Sequence, residues 1–434
     1  MKGGVAVLGA GWAGLAAAVE LAHHGMTVTV FESAPQAGGR ARAVKLRGIA
    51  LDNGQHILLG AYRQTLALMA RVNPRWREGL LRLPLTLRVE PGVRLAAPRL
   101  PAPWHLAAAL LRAQGLAWRD RLAALRLFAS LRRHRFQLDE DTSVAHFLAA
   151  RRQTERLARF LWHPLCLAAL NTPPEIASAQ VFVNVLHDAL ARSRTDSDLL
   201  LPRVNLSALF PQPAAAYLLR RGGSLLLGQR VESLARTEGG WRVETRQGSA
   251  TFPQVICALP PKAAARLLSP LPGMEAVARE ISGLAPQPIH TVYLRYGTRL
   301  RLPAPMLGLA RGPGQWVFDR QSLTGEAGLV AVVISAEGPH DTWDHARLAQ
   351  TVARQLTEQL GLPQPEWTGV IGEKQATFSC TPGLSRPGSQ TPLPGLLLAG
   401  DYVAAAEGER DYPATIEGAV RSGVQCARHI LGCR

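Results

Sequence analysis

The sequence predicts an α/β protein in which a doubly wound, Rossmann-like parallel sheet carries an inserted α+β unit. Three observations support this class. A short apolar run at residues 5–8 leads through a glycine turn at 9–14 into a helix-period segment at 15–23, and a second apolar run at 27–31 ends in Glu32. Residues 74–201 change to Pro-interrupted helices rich in Ala, Leu and Arg, as a helical insertion does. Strand signals then resume, and the last of them precedes a closing helix.

The opening β-α-β unit spans about 30 residues, the length of one parallel crossover. After the insertion, strands are expected at 224–227, 229–234, 240–245 and 251–259. They are divided by Glu238-Gly239-Gly240 and by Gln247-Gly248, a spacing that makes hairpins or a meander. Residues 289–296 and 329–335 read as further strands, 342–360 as a helix, 395–399 as a buried strand and 415–431 as the closing helix. The dinucleotide-type fold therefore draws on 1–73, 202–265 and 385–434, and a substrate-binding unit on 74–201 and 266–384.

Composition limits the functional classes. An apolar fraction of 47% over 434 residues excludes disorder and suffices for two or three domains. The 40 Gly and 31 Pro follow no triplet period, which excludes collagen. Five scattered cysteines form no C-x-x-C pair, so a reducing cytosolic compartment is the default. The apolar stretch 5–22 after Lys2 imitates a signal peptide or anchor, but its regularly spaced glycines suit a strand-turn-helix. The net charge of +17 comes from 45 Arg and four Lys against 32 acids, with 18 Arg and seven acids between Arg71 and Arg159. Such a regional excess suits phosphate or an anionic membrane surface, or reflects an Arg-rich codon bias. Nucleic acid is not expected, because no recognition motif accompanies the charge. The sequence sets no oligomeric state.

Four motifs carry chemistry. Gly9-Ala-Gly11-Trp-Ala-Gly14 follows a strand and opens a helix, so its glycines permit a tight turn, backbone approach to a pyrophosphate and close helix packing. Glu32, 18 residues on, is placed to accept hydrogen bonds from ribose hydroxyls. Gly38-Gly39-Arg40 brings a second close backbone approach and a fixed cation to the same pyrophosphate. In Asp52-Asn-Gly54-Gln-His56, Gly54 permits contact with a flat ring, while His56 either titrates near neutrality or is a core histidine. At the other end, Asp401 closes a strand and offers a carboxylate to a polyol. The helix after Pro413 and Thr415 directs its N-terminal dipole at the ring, and Gly418 and Gly423 let it lie close to the bound group.

Together these blocks resemble the flavin-dependent amine oxidase and phytoene desaturase superfamily over nearly the whole chain. The segments from Asp52 to Tyr62, Trp162 to Asn171 and Tyr412 to Gly423 resemble its squalene-associated branch, the hydroxysqualene dehydroxylases. The resemblance implies an amine-oxidase-like fold with FAD held by Gly9, Gly11, Gly14, Glu32, Gly39 and Arg40 at the ADP end. It places Val231 at the adenine, Gly54 at the flavin ring, and Asp401, Thr415, Ile416 and Gly418 on the ribityl and pyrimidine side. It implies reductive removal of the hydroxyl of hydroxysqualene, an apolar isoprenoid, to give squalene on a bacterial hopanoid route, with no metal. His56 is the expected proton donor or electrostatic partner, with Asp411 and Tyr402 in reserve.

Where amine oxidases typically carry a flavin-facing lysine, this chain is expected to carry His290, which disfavours amine oxidation. A phytoene-type polyprenyl desaturase is the alternative enzyme. A flavin-free prenyl-binding protein is disfavoured by the intact glycine motif and Glu32. Residues 104–111 and 121–135 place Leu122, Leu125, Phe128 and Ala129 on one face flanked by arginines, which suits either a helix lying on anionic lipid or a core-packed helix with solvated Arg. The expected location is thus cytoplasmic, peripheral to the inner face of the membrane. His163, Cys166 and Asn171 are expected to pack rather than react, and Cys433 lacks a lipidation ending.

Overall fold

The computed structural model describes residues 4–297 and 299–432, so Lys2 and Cys433 lie outside the described residues. Its first layer is a five-stranded parallel sheet in the order Ser224–Leu227, Val28–Glu32, Val5–Leu8, Gln254–Cys257, Leu396–Leu398. Val5–Leu8 is buried throughout, as a central parallel strand covered on both faces must be. The helix Trp12–His23 is buried from Trp12 to Ala22, because the closing helix Ile416–Leu431 lies across it. A Cβ on Gly423 would stand 2.1 Å from the Ala13 carbonyl oxygen, so this glycine admits the closing helix to the first helix. The expectation that Gly423 serves approach to the bound group is corrected accordingly.

A second, seven-stranded sheet runs Trp367–Phe378, Pro286–Arg295, Leu329–Ser335, Trp316–Asp319, Met306–Leu309, Thr86–Glu90, Val93–Ala96. Alternate side chains of Pro286–Arg295 point to opposite faces. Val292 and Leu294 join Leu348, Val352 and Leu356 of the helix His345–Leu360 in one core, while Tyr293 enters the larger core beneath the first sheet.

The sequence reading of 74–201 as helical is only partly right. Leu80–Leu83, Thr86–Glu90 and Val93–Ala96 are strands, and the last two extend the large sheet. The expected strand at 251–259 is two, broken at Pro253: Gly248–Phe252 completes a three-stranded antiparallel sheet and Gln254–Cys257 joins the parallel one. Helices Trp104–Arg112 and Trp118–Arg133 cover the far end. Their expected apolar face divides, since Leu125 and Phe128 pack on the core while Leu122 and Ala129 face outward. The large apolar residues most exposed there are Trp104 and Trp118, each 65% exposed.

Candidate active site

The first strand ends at Gly9, whose φ of 103° favours glycine and where a Cβ would lie 2.7 Å from the Ala258 carbonyl oxygen. Gly14 packs under the turn, with room for a Cβ only 2.0 Å from the Gly9 carbonyl oxygen. Gly11 differs. Its φ is −72°, and a Cβ would find nothing nearer than Gly39 Cα at 3.9 Å. The space before it is open, and the N-terminus of Trp12–His23, uncapped by any side chain, leaves its N–H groups free to receive an anion there. Gly38 bridges to Gly11 from the opposite side, bringing Gly39 over the turn.

Gly9, Gly11, Gly38 and Gly39 border a cavity of about 1120 Å³, at the upper end of small-molecule sites. Glu32 lines it, its two carboxylate oxygens fixed by the Ala10 and Ala34 N–H groups at 2.8 Å each, and Val231 lies on the same wall. Farther along, Arg40 donates two bonds to Asp401 at 2.7 and 2.8 Å and a third to the Ala376 carbonyl at 2.6 Å. Burial works against the Arg40 charge, but the Asp401 carboxylate outweighs it and raises the guanidinium pKa. The two residues thus reach the cavity as one clamped pair joining chain ends 361 positions apart.

At the other end, Asn53 to Ile57 line the cavity opposite Ile289, Trp316 and Phe318. The 52–56 loop is held from below. Asp52, fully buried, accepts from the Leu206 N–H at 2.7 Å and faces Arg320 at 3.4 Å, and Arg320 donates to Gln55 at 2.9 Å. Burial raises the Asp52 pKa against the opposing Arg320 charge. His56 Nδ1 donates to the Gly54 carbonyl at 2.7 Å, which leaves Nε2 as the acceptor of the neutral ring. Burial lowers its pKa, partly offset by that hydrogen bond. Thr291 is fully buried, its hydroxyl has no partner, and it lies 3.9 Å from where a Gly54 Cβ would stand.

A second, apolar chamber of about 190 Å³ adjoins the cavity, and Ile57, Tyr62, Ala168, Ala169, Trp316 and Thr415 line both. Leu87, Leu106, Leu110, Phe128 and Trp162 wall it. Two π-helical turns border it, at Ala158–Trp162 and His187–Ala191, and the second carries Asp188, whose carboxylate accepts from the Tyr412 hydroxyl.

A profile of the flavin containing amine oxidoreductases matches residues 12–431. The chain belongs to that family. It is 31% identical to a hydroxysqualene dehydroxylase of Rhodopseudomonas palustris over 98% of both chains. It is also 25% identical to a protein of Synechococcus elongatus named as a probable zeta-carotene desaturase, again over 98% of both. An oxidoreductase structure from Methanosarcina mazei superposes with a TM-score of 0.75 at 18% identity, covering 98% of this chain and 99% of that one. As a flavin amine oxidoreductase relative, the chain is an FAD-dependent oxidoreductase. The residues present fit FAD: the open face of Gly11 would take the pyrophosphate, Glu32 the ribose, and the orphaned Thr291 hydroxyl beside Gly54 a polar edge of the ring.

The predicted residues divide by position. Gly9, Gly11, Glu32, Gly39, Arg40, Gly54, Val231, Asp401, Thr415 and Ile416 line the cavity, whereas Gly14 and Gly418 support it from behind. Gly418 donates its N–H to the capping Thr415 hydroxyl at 3.1 Å. His56 and Tyr402 also line the cavity, but the Tyr402 hydroxyl is buried without a hydrogen-bond partner, and burial pushes its pKa well up. Asp411 requires correction: it lies outside the cavity lining, paired with Arg386 at 2.5 Å. His290 is likewise corrected. It faces Asp341 at 3.2 Å on the outer side of its strand, and its neighbours Ile289 and Thr291 face inward. Asn171 is a clamp, donating to Pro288 and Thr377 and accepting from the Ala336 N–H at 2.6 Å. Sequence reasoning missed Thr291, Arg320, Asp188 and the role of Tyr412. A His-Asp pair inside the apolar run 181–190 was the available signal for Asp188.

Proposed function

We propose that this oxidoreductase removes the hydroxyl of hydroxysqualene reductively to give squalene, on a route to hopanoids, at the cytoplasmic face of a membrane. The observation that carries the reading is the apolar chamber, whose leucine and aromatic walls suit a hydrocarbon chain and which opens on the cofactor cavity at Ile57, Ala168 and Trp316. FAD, when bound and reduced, supplies the hydride that replaces the hydroxyl. The walls keep water from an allylic carbon that becomes electron-deficient as its C–O bond breaks. His56 presents Nε2 to the cavity as an electrostatic partner rather than a proton source, since in the neutral ring whose Nδ1 donates to Gly54 that nitrogen carries no proton. Among the described residues the lysine that lines the cavity is Lys262, which follows the Ala258 turn beside Gly9, so amine oxidation is disfavoured. Helices Trp104–Arg112 and Trp118–Arg133 turn Trp104 and Trp118 outward and Leu106, Leu110 and Phe128 to the chamber, which favours substrate entry from a bilayer.

The likeness to a protein named as a zeta-carotene desaturase supports the second reading, polyprenyl desaturation. One experiment separates them. Flavin-loaded protein, reduced without oxygen and given hydroxysqualene, should yield squalene by mass spectrometry. Loaded protein that yields none, yet oxidises phytoene or zeta-carotene, would transfer the assignment.

A further inference from the structure

Among the described residues, Asp188 is the one charged residue in the wall of a chamber that is otherwise mostly apolar. Leaving a carboxylate there is costly unless it has partners, and two hydrogen bonds are built in, with the Arg192 guanidinium at 4.0 Å besides. Tyr412 donates its hydroxyl to one carboxylate oxygen, and His187 Nδ1 stands 2.6 Å from the other. The placement is fixed from both sides. The helix Ala179–Leu186 passes into a π-helical turn at His187–Ala191, which reorients Asp188, and such turns recur at functional sites. Asn184 donates to the Asp411 carbonyl at 3.2 Å and Arg421 lies 4.5 Å over the Tyr412 ring, holding the other half of the pair. Tyr412 stands three residues before Thr415, which lines both compartments, so the pair sits near their junction.

We infer that Asp188 and Tyr412 form the hydroxyl-recognition site of the chamber, binding the alcohol group of a polyisoprenoid substrate and delivering the proton with which its oxygen departs. This rests on the function proposed above. The Tyr412 hydroxyl turns from Asp188 to the substrate oxygen, the C–O bond breaks with its electron pair on that oxygen, which takes the Tyr412 proton and leaves as water, and the carbon takes up the hydride that reduced FAD supplies. Tyr412 is reprotonated through Asp188 from His187, whose side chain is 18% exposed and so exchanges with solvent. Burial and then the Asp188 charge hold the Tyr412 hydroxyl well above its ordinary range, so it carries its proton at neutral pH. It still protonates the departing oxygen, because a hydroxide is a stronger base than a phenolate.

The test uses the flavin-loaded enzyme with Tyr412→Phe, which keeps the ring over Arg421, and Asp188→Asn, which keeps the shape of the carboxylate. Binding of hydroxysqualene and of squalene is read by quenching of Trp162 and Trp316, which line the chamber, and turnover is followed in parallel. Both variants should retain flavin, lose about ten- to hundredfold of the preference for the alcohol over the hydrocarbon, and lose about 10²- to 10⁴-fold in turnover. Variants that keep the wild-type preference and rate within twofold overturn the inference. If the wild type binds the alcohol preferentially but makes no squalene, the functional reading fails, and the binding ratio of the variants still decides the recognition site.

Discussion

Gly11 and His56 illustrate how single positions divide structural from chemical work. Because Gly11 has an ordinary φ and open space before it, a larger side chain there strains nothing and fills only the path of the pyrophosphate. Gly11→Val should therefore fold with a melting temperature near wild type yet purify without the flavin absorption band; a yellow variant with normal FAD content would refute the cradle. His56 tests the proton assignment. With its Nδ1 proton held by Gly54 and its pKa lowered by burial, His56→Ala should keep flavin and slow turnover by less than about 10²-fold, the lower edge for removal of a general acid. A loss of 10³ or more would return the proton to His56. Gly9 to Gly14 and Glu32 were readable in the sequence because their partners lie within one β-α-β unit. Arg40 with Asp401, and Asp188 with Tyr412, were not, since each pair joins residues more than 200 positions apart whose meeting only the folded chain reveals.

The strands Thr86–Glu90 and Val93–Ala96 show a different kind of miss. Their buried residues Leu87, Val89, Val93 and Leu95 alternate with Arg88, Glu90 and Arg94, a period of two that argues for strands, but the surrounding Ala, Leu and Arg content suggested helix. The helices beyond them were found, but their apolar face divides between core and surface, because one apolar stripe cannot reveal which of two surfaces it covers. Five of the eight large apolar side chains exposed among the described residues fall between Leu100 and Leu122, with exposed Arg99, Arg112, Arg119 and Arg126 around them. Basic residues beside an apolar surface suit anionic lipid. A full Trp side chain contributes about 1.5–3 kcal/mol on burial, so Trp104→Ser with Trp118→Ser should weaken sedimentation with phosphatidylserine-containing vesicles at least about tenfold. Added salt should weaken the wild type as well. Unchanged sedimentation would leave the arginines as solvated charge.

The molecule as a whole carries a signature of its buried histidines. Burial lowers the pKa of His56, His105, His163 and His340. Unfolded, each takes up a proton below about 6.5, whereas folded it stays neutral to lower pH. The unfolded chain therefore binds more protons in that window, and stability is lost as pH falls from about 6.5 toward the folded values. Asp52 and Glu417, raised by burial, act in the opposite sense from about pH 4 upward, but they are two against five once His23, lowered in the same way, is counted. Calorimetric unfolding at pH 6 in buffers of different ionisation enthalpy should register net proton uptake; release, or no exchange, would contradict the burial of these rings.

The contact of Gly423 with Ala13 fixes more than the packing of two helices. The glycine turn on one wall of the cavity is made well before Asp401, Thr415 and Ile416 on the far wall. A nascent chain emerging from the ribosome thus exposes its glycine turn long before the wall that completes the cavity exists. Stable flavin capture is accordingly a late event that follows synthesis of the closing helix, so a translation arrest short of that helix should yield chains that stay colourless in the presence of excess FAD.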